Sequence, residues 1–221
     1  MASGWTEGAT IWPMDWVAWH SDYEDADSPL RRRLEIVQRA IVGFLEGFEG
    51  SPVRVVSMCA GEGRDILGAL AVTGRRDVVG RLVELDPELA AVALRAIEAL
   101  GITGLEVVVG DAGELSAYAG NVPADLVLEC GVFGNISDAD VESTVRATPQ
   151  LCAAGATVIW TRHRREPDLT PAIRRWYAEA GFQEVSFEPV PDSEGSVGVM
   201  VYNSKPVPLR AQHLFTFTRT G

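Results

Sequence analysis

Residues 55–65 read Val-Val-Ser-Met-Cys-Ala-Gly-Glu-Gly-Arg-Asp. An apolar strand here runs into a turn of small residues, and a helical pattern follows the turn. Glycines at positions 61 and 63 let the backbone approach a ligand closely and adopt conformations that a side chain would forbid. A dinucleotide fingerprint needs a third glycine at position 66, which is Ile66, so a pyrophosphate-binding turn is disfavoured. The stretch predicts a cofactor site at the end of a strand.

Short apolar runs alternate with helical patterns after Pro52, which is typical of parallel strands covered on both faces. The predicted strands are Val53–Met58, Val78–Leu85, Leu105–Val109, Asp125–Glu129 and Ala156–Thr161. The predicted helices are Arg64–Thr73, Pro87–Leu100, Asp138–Leu151 and Thr170–Ala180, with a short helical segment near Glu114–Tyr118. This alternation predicts a doubly wound α/β sheet. Three later runs are strand-like, and at least two of them should pair antiparallel at one sheet edge: Phe182–Phe187, Val197–Tyr202 and Leu214–Thr218.

Residues 1–50 are the predicted N-terminal unit, an arm followed by a helix, and residues 2–27 of it are distinct in composition. Aromatic side chains are interleaved with Gly, Ser and Asp in residues 2–27, namely Trp5, Trp12, Trp16, Trp19 and Tyr23. We expect an arm that packs on the body as a lid over the cofactor, as hydrophobic cover for the sheet or as a dimer contact. An amphipathic helix should begin after Ser28, its N-cap, and end near Gly47. Residues 51–221 are the predicted main domain.

Carboxylates follow the second and third predicted strands. Glu84 lies about twenty residues after the glycine turn, where a carboxylate can accept hydrogen bonds from both hydroxyls of a ribose. Asp86 is the weaker candidate, because Asp86-Pro87 matches the N-cap and first residue of a helix. Asp111 precedes the small residue Ala112, and this pair suits an adenine ring with its amino group. The alternative is that the acids near residue 85 only cap and solvate the next helix.

Five motifs occur in order between Val53 and Arg164: CAGEGRD, VELDPE, VVGDAGEL, ADLVLECGVFGN and LCAAGATVIWTRHR. This series resembles the motifs of class I S-adenosylmethionine-dependent methyltransferases, and the later EAGFQEV is similar to the start of that family's closing antiparallel hairpin. The resemblance implies a seven-stranded, mostly parallel sheet with S-adenosylmethionine as the cofactor.

The resemblance also assigns cofactor-binding residues. It places the methionine part beside Ala60, Gly61 and Gly63, the ribose on Glu84, and the adenine near Asp111 and Ala112. The strand-end residues Cys59, Leu85 and Cys130 complete the predicted set. The sequence departs from the family pattern at Cys59, where glycine is frequent, and at Ser57, where an acid is frequent.

The stretch from Glu129 to Asn135 follows the fourth predicted strand, where substrates of the family usually meet the methyl group. It lacks the N/D-P-P-Y/F motif linked to methylation of nucleic-acid bases or protein amides, and the net charge is −12. Both features favour a small-molecule acceptor over nucleic acid. The candidate catalytic residues are His20 and His163, as bases, and Asn135, which would orient a polar acceptor. Packing, surface and turn-holding roles are the respective alternatives.

Other sequence features concern the location, the partners and the alternative functions of the protein. Three cysteines in apolar stretches, the lack of a signal sequence and the lack of a membrane-length apolar run predict a cytoplasmic protein without a membrane partner. No metal-type cysteine pair occurs, so no metal site is predicted, and a homodimer stays open. Arginines at 31–33 and 162–165 are candidate anion-binding patches. The competing functions are cofactor or nucleotide binding without transfer, another sulfonium reaction, and nicotinamide-dependent oxidoreduction.

Overall fold

The computed structural model describes residue 25 and residues 28–218. The strands in this part of the chain are β1 (Val53–Met58), β2 (Val78–Glu84), β3 (Gly104–Val109), β4 (Ala124–Glu129), β5 (Cys152–His163), β6 (Phe182–Pro189) and β7 (Gly195–Tyr202). The helices are α1 (Pro29–Gly47), α2 (Arg64–Thr73), α3 (Pro87–Ala99), α4 (Asp138–Ala147) and α5 (Thr170–Glu179), with 3-10 turns at Leu115–Tyr118 and Thr148–Gln150.

The strands form one sheet in the order β3-β2-β1-β4-β5-β7-β6. The first five strands are parallel, and β7 is antiparallel to both β5 and β6. The predicted seven-stranded, doubly wound sheet with antiparallel C-terminal strands is therefore confirmed. Because β1 to β5 run in the same direction, the loops after their carboxyl ends meet at one edge of the sheet.

Helices cover both faces of the sheet. Helices α1, α2 and α3 contribute Ile41, Ile66 and Ile97 to the core on one face, and α4 and α5 contribute Val145 and Ile173 to the core on the other. The apolar stripe predicted after Ser28 thus shares a core with the sheet. The hydroxyl oxygen of Ser28 accepts from the N–H of Leu30 at 3.1 Å, as an N-cap does. No helix among the described residues is long and apolar enough to cross a membrane.

Two sequence predictions are corrected by the structure. The predicted helix Asp138–Leu151 ends at Ala147 and gives way to a 3-10 turn, because Pro149 has no N–H and its ring would clash with the preceding helical turn. The predicted strand Leu214–Thr218 is wrong, since this segment makes only isolated bridges to loops. Leu214 and Phe215 are both 2% exposed, whereas consecutive residues of a strand point to opposite faces. Burial between loops replaces pairing at the sheet edge.

Glu129, the last residue of β4, is a carboxyl group inside the core, with 0% exposure. The Tyr177 hydroxyl donates to one of its oxygens, and Thr148 Oγ1 lies 2.7 Å from the other. Thr148 Oγ1 also lies 2.9 Å from the carbonyl oxygen of Thr144, and its single proton can serve only one of these contacts. A protonated Glu129 supplies the missing proton. Burial accordingly raises the pKa of Glu129 from 4.5 to about 7.

The substitution Glu129→Gln should change how stability depends on pH. A carboxyl whose pKa is higher in the folded than in the unfolded chain stabilises the fold below pH 4.5 and loses that contribution as pH rises through 7. We expect the free energy of unfolding of the wild type, relative to the variant, to fall by about 3 kcal/mol between pH 4.5 and 8. Urea titrations at several pH values measure this difference.

The matched control is Glu98→Gln, which changes an exposed glutamate on α3 in the same way. Its stability should follow the pH curve of the wild type. Parallel curves for the wild type and Glu129→Gln would contradict the protonated state of Glu129.

Candidate functional site

A cavity of about 600 Å³ lies at the carboxyl edge of the parallel strands, within the size range of small-molecule sites. The described residues that line it come from α1, from the end of β2, from the loops after β1, β2, β3 and β4, from the starts of α2 and α3, and from the segment near residue 216: Arg33, Leu34, Val37, Cys59, Ala60, Glu62, Arg64, Asp65, Glu84, Leu85, Asp86, Pro87, Leu89, Asp111, Ala112, Cys130, Gly131, Phe215, Thr216 and Phe217.

The structure brings most of the predicted cofactor residues together around this cavity. Seven of the nine line it: Cys59, Ala60, Glu84, Leu85, Asp111, Ala112 and Cys130. The other two, Gly61 and Gly63, form the turn after β1 and have φ angles of +55° and +69°. Only glycine adopts such angles readily, so these residues shape the turn through their backbone. Their contact with a cofactor stays a prediction.

Glu84 connects two of the loops that form the cavity. Its Oε2 accepts from the N–H of Gly61 at 2.7 Å, and its Oε1 accepts from the N–H of Asp86 at 2.9 Å. The side chain is buried, at 8% exposure, so the two bonds fix its orientation. A carboxylate offers about four acceptor positions. After both backbone bonds, each oxygen therefore still has capacity to accept from a ligand hydroxyl.

Cys59 has a φ angle of +50°, in the left-handed region that glycine favours. Cysteine stands here where the resembling family often has glycine, but the backbone keeps the conformation that glycine would adopt. Burial raises the pKa of the Cys59 thiol, and the carboxylates of Glu84 and Asp111 raise it further. The thiol stays protonated at neutral pH, which makes it a poor nucleophile.

Charged side chains crowd the start of α2 at the cavity wall. Asp65 Oδ1 accepts from the N–H of Ile66 at 2.7 Å, and Glu62 forms an ion pair with Arg64. Burial raises the pKa of Asp65, against the lowering effects of its backbone hydrogen bonds and of Arg33. Among the described residues, five carboxyl groups and two guanidinium groups line the cavity. This charge balance favours a ligand that carries positive charge.

The segment Gln212–Thr218, here called the strap, borders the cavity and was missed as a site by sequence reasoning. Backbone hydrogen bonds tie it to two loops: Leu115 N–H to Gln212 O at 3.0 Å, Leu214 N–H to Gly113 O at 2.8 Å, and Thr218 N–H to Asn135 O at 2.9 Å. The only sequence signal was the apolar run that predicted a strand. In the structure, that apolar run is part of the strap and does not form a strand.

An exposed cluster joins the strap to the loop after β3. His213 Nε2 lies 3.2 Å from Asp111 Oδ2, and potential metal-binding atoms of Asp111, Glu114 and His213 all lie within 4.8 Å of one another. Exposed groups of this kind are common without a metal. We therefore assign the cluster a structural role, as an anchor of the strap.

Of the three predicted catalytic residues, the two that the structure describes lie outside the cavity wall. His20 lies outside the described residues, and neither His163 nor Asn135 is among the lining residues. The Asn135 side-chain amide donates to Gly131 O at 2.7 Å, so it holds the loop after β4. Burial, Arg162 and Arg165 lower the pKa of His163, which leaves it neutral at pH 7. The catalytic roles of all three residues stay predictions.

Arg162, near the end of β5, and Arg164, just after β5, have structural partners. Arg162 is buried and donates to the carbonyl oxygen of Phe133, and its Nη2 lies 3.2 Å from Asp138 Oδ1. Arg164 donates to Ser193 O at 3.0 Å. These contacts hold the loops after β4 and β6, and an anion-binding role for residues 162–165 stays a prediction.

The conformation of Cys59 predicts an unusual order of variant stabilities. Alanine normally stabilises a protein relative to glycine by about 0.5–1 kcal/mol, because glycine is more flexible when unfolded. At position 59, a left-handed conformation costs alanine about 1–2 kcal/mol. We expect Cys59→Gly to be more stable than Cys59→Ala by up to about 1 kcal/mol, as measured by urea unfolding. At Cys130, whose φ is not positive, the alanine variant should be more stable than the glycine variant. If the alanine variant were the more stable one at both positions, the backbone strain at Cys59 would be refuted.

No protein-family model matches the chain, and no curated protein matches it in sequence. Solved structures do match it. Magnesium protoporphyrin IX methyltransferase from Synechocystis PCC 6803, with bound S-adenosylmethionine, aligns with a TM-score of 0.66 and 12% identity over 85% of this chain and 91% of that one. An O-methyltransferase family protein from Burkholderia thailandensis aligns with a TM-score of 0.64 and 13% identity, over 87% of this chain and 61% of that one.

A third match is a putative O-methyltransferase from Nostoc punctiforme PCC 73102, with a TM-score of 0.61 and 18% identity over 80% of this chain and 58% of that one. Identities this low establish a shared fold and leave the chemistry to be argued from the cavity. The strand order and the antiparallel β7 agree with these matches. The chain has the class I methyltransferase fold.

Proposed function

We propose that the protein is an S-adenosylmethionine-dependent methyltransferase that acts on a small-molecule acceptor. The observation that carries the proposal is the buried carboxylate of Glu84 at the cavity wall, oriented by the N–H groups of Gly61 and Asp86. Its remaining acceptor capacity matches the two neighbouring hydroxyls of a ribose. The bound S-adenosylmethionine of a protein with the same fold supports this choice of nucleoside.

The charges of the cavity fit this cofactor. S-adenosylmethionine carries a sulfonium, an ammonium and one carboxylate, and the cavity wall is predominantly acidic. Arg33 and Arg64 would bind the carboxylate, and Asp65 the ammonium. A dinucleotide would instead place its pyrophosphate at the start of α2, where Glu62 and Asp65 would repel it. The cavity therefore disfavours the nicotinamide alternative.

The bound cofactor supplies a methyl group that its sulfonium already activates for in-line displacement. The protein's task is then to hold the acceptor in line and to exclude water. Cys130 and Gly131 border the cavity after β4, and Asn135 fixes the loop that follows them. Orientation of a polar acceptor by Asn135 and proton removal by His20 or His163 are parts of the proposal.

We also propose the location of the protein, its partners and the role of its N-terminal arm. Its net charge of −12 disfavours nucleic acid as a partner and favours a small-molecule acceptor. The three cysteines are free thiols, which suits the reducing cytoplasm. We propose that the aromatic arm in residues 1–50 covers the cofactor as a lid, and that residues 51–221, together with Arg33 of α1, bind it. A homodimer is a further proposal.

The substitution Glu84→Gln tests the cofactor site. An amide has only one acceptor oxygen. Its NH2 group would therefore face the N–H of either Gly61 or Asp86, and the variant would lose an acceptor for one ribose hydroxyl. We expect calorimetry to show that the wild type binds S-adenosylmethionine and S-adenosylhomocysteine and does not bind NAD. The variant should bind the first two at least tenfold more weakly, since a hydrogen bond to a charged group contributes about 1.5–3 kcal/mol.

The matched control is Glu88→Gln, which removes one negative charge from an exposed position in the first turn of α3, outside the cavity wall. It should bind like the wild type. Binding of NAD alone, or of no nucleoside, by the wild type would overturn the proposal. Formation of S-adenosylhomocysteine in the presence of an acceptor separates methyl transfer from simple cofactor binding.

A further inference from the structure

Asp111, at the cavity wall, has both carboxylate oxygens next to donors of this chain. Its Oδ1 accepts from the N–H of Gly113 at 2.8 Å, within the loop after β3. Its Oδ2 lies 3.2 Å from Nε2 of His213, on the strap. An ionised carboxylate only accepts hydrogen bonds, so Nε2 carries the proton of this contact. A carboxylate offers about four acceptor positions, and these two contacts leave about two of them for a ligand.

The backbone of the strap fixes the position of His213. On one side of this residue, the N–H of Leu115 donates to Gln212 O at 3.0 Å. On the other side, the N–H of Leu214 donates to Gly113 O at 2.8 Å. The side chain of Leu214 is buried in the core. These contacts hold the imidazole at the loop after β3 without any contribution from its own hydrogen bond.

Gly113 lies where this loop, the carboxylate and the strap meet. A Cβ atom at this position would lie 2.6 Å from Phe215 O, 3.1 Å from Asp111 Oδ1 and 3.3 Å from His213 Nε2. A side chain here would therefore push the strap backbone away from the loop. Glycine allows the close approach that brings the imidazole within hydrogen-bond distance of the carboxylate.

The exposure of Asp111 makes this contact important for its orientation. The Asp111 side chain is 51% exposed, whereas Glu84 is buried and accepts from a backbone N–H on each oxygen. A half-exposed carboxylate with a single backbone hydrogen bond is free to turn toward water. His213 supplies to Asp111 the second donor that Glu84 obtains from the backbone.

We infer that His213 is a positioning residue for base recognition and that it acts through Asp111. The inference rests on the proposed function, because it needs the nucleoside of the cofactor at this wall. Held at both oxygens, the carboxylate presents its remaining acceptor positions to a ligand donor, and the 6-amino group of adenine is such a donor. A base with a carbonyl oxygen at that position offers only lone pairs there, which the carboxylate repels. His213 thus makes the site selective for adenine over hypoxanthine.

Two probes test this inference by calorimetry: S-adenosylhomocysteine and S-inosylhomocysteine, which has a carbonyl oxygen in place of the 6-amino group. The wild type should bind the first at least about tenfold more tightly, as expected for a hydrogen bond to a charged group. In His213→Ala, this affinity ratio should fall by at least about threefold, because the carboxylate loses its second donor. His213→Gln keeps an N–H donor at a similar reach, so it should retain the ratio within about twofold.

The matched control is Gln212→Ala, which shortens an exposed side chain of the same strap and keeps the carbonyl oxygen that accepts from Leu115. It should bind both probes like the wild type. Thermal unfolding without ligand checks that each variant folds. Where His213→Ala fails to fold, His213→Leu gives the same test, because leucine fills the space without a donor.

A double-mutant cycle tests whether His213 acts through Asp111. Asp111→Ala should lower the affinity ratio by itself, and the addition of His213→Ala should lower it no further. A further fall in the double variant would place the action of the imidazole elsewhere and overturn the inference.

Three other results separate the possible failures. An equal loss of affinity for both probes in His213→Ala, with the ratio unchanged, would show that the residue only anchors the strap, and would overturn the inference. A wild type that binds both probes equally would also overturn it and leave the proposed function intact. A wild type that binds neither probe would refute the proposed function itself.

Discussion

Glu84 holds the loops after β1 and β2 together, and the shape of the cavity depends on this pairing. A buried carboxylate requires hydrogen-bond partners, and Glu84 takes both of its partners from the backbone. The turn after β1 must therefore present the N–H of Gly61 toward β2. The left-handed conformations of Cys59, Gly61 and Gly63 are part of that same turn. The acid and the glycines are thus parts of one arrangement.

The strap shows a second constraint, which acts from the far end of the sequence. The chain leaves β7 and returns to the carboxyl edge, where it packs Leu214 and Phe215 into the core beside the parallel strands. This burial anchors the strap independently of any ligand. The two sides of the cavity are therefore formed differently: the turn after β1 by a carboxylate, and the strap by apolar packing and backbone pairing.

The parts of the site that sequence could predict are those encoded by local order. A strand followed by a glycine turn, and an acid after the next strand, indicate their own positions because parallel strands end at one edge. The strap could not be predicted in this way. His213 and Asp111, which meet there, are 102 residues apart in sequence, and the apolar pair that the strap buries has the same sequence pattern as a short strand. Leu34 and Val37 on α1 were likewise missed, because a helical stripe predicts burial but not which end borders a cavity. The hydrogen bond from Asn135 to Gly131 joins two residues of one loop. Asparagine and glycine are common in turns of every kind, so the sequence does not predict this bond.

The acidity of the cavity bears on turnover under the proposed function. Methyl transfer converts a sulfonium into a neutral thioether, so the product nucleoside has one positive charge fewer than the cofactor. The carboxylates of Glu62, Glu84 and Asp111 at the wall favour the more positive of the two. The neutral base and ribose contacts are the same for both and cannot discriminate between them. Under this proposal electrostatics separates the cofactor from its product, while Glu84 provides binding that the two share.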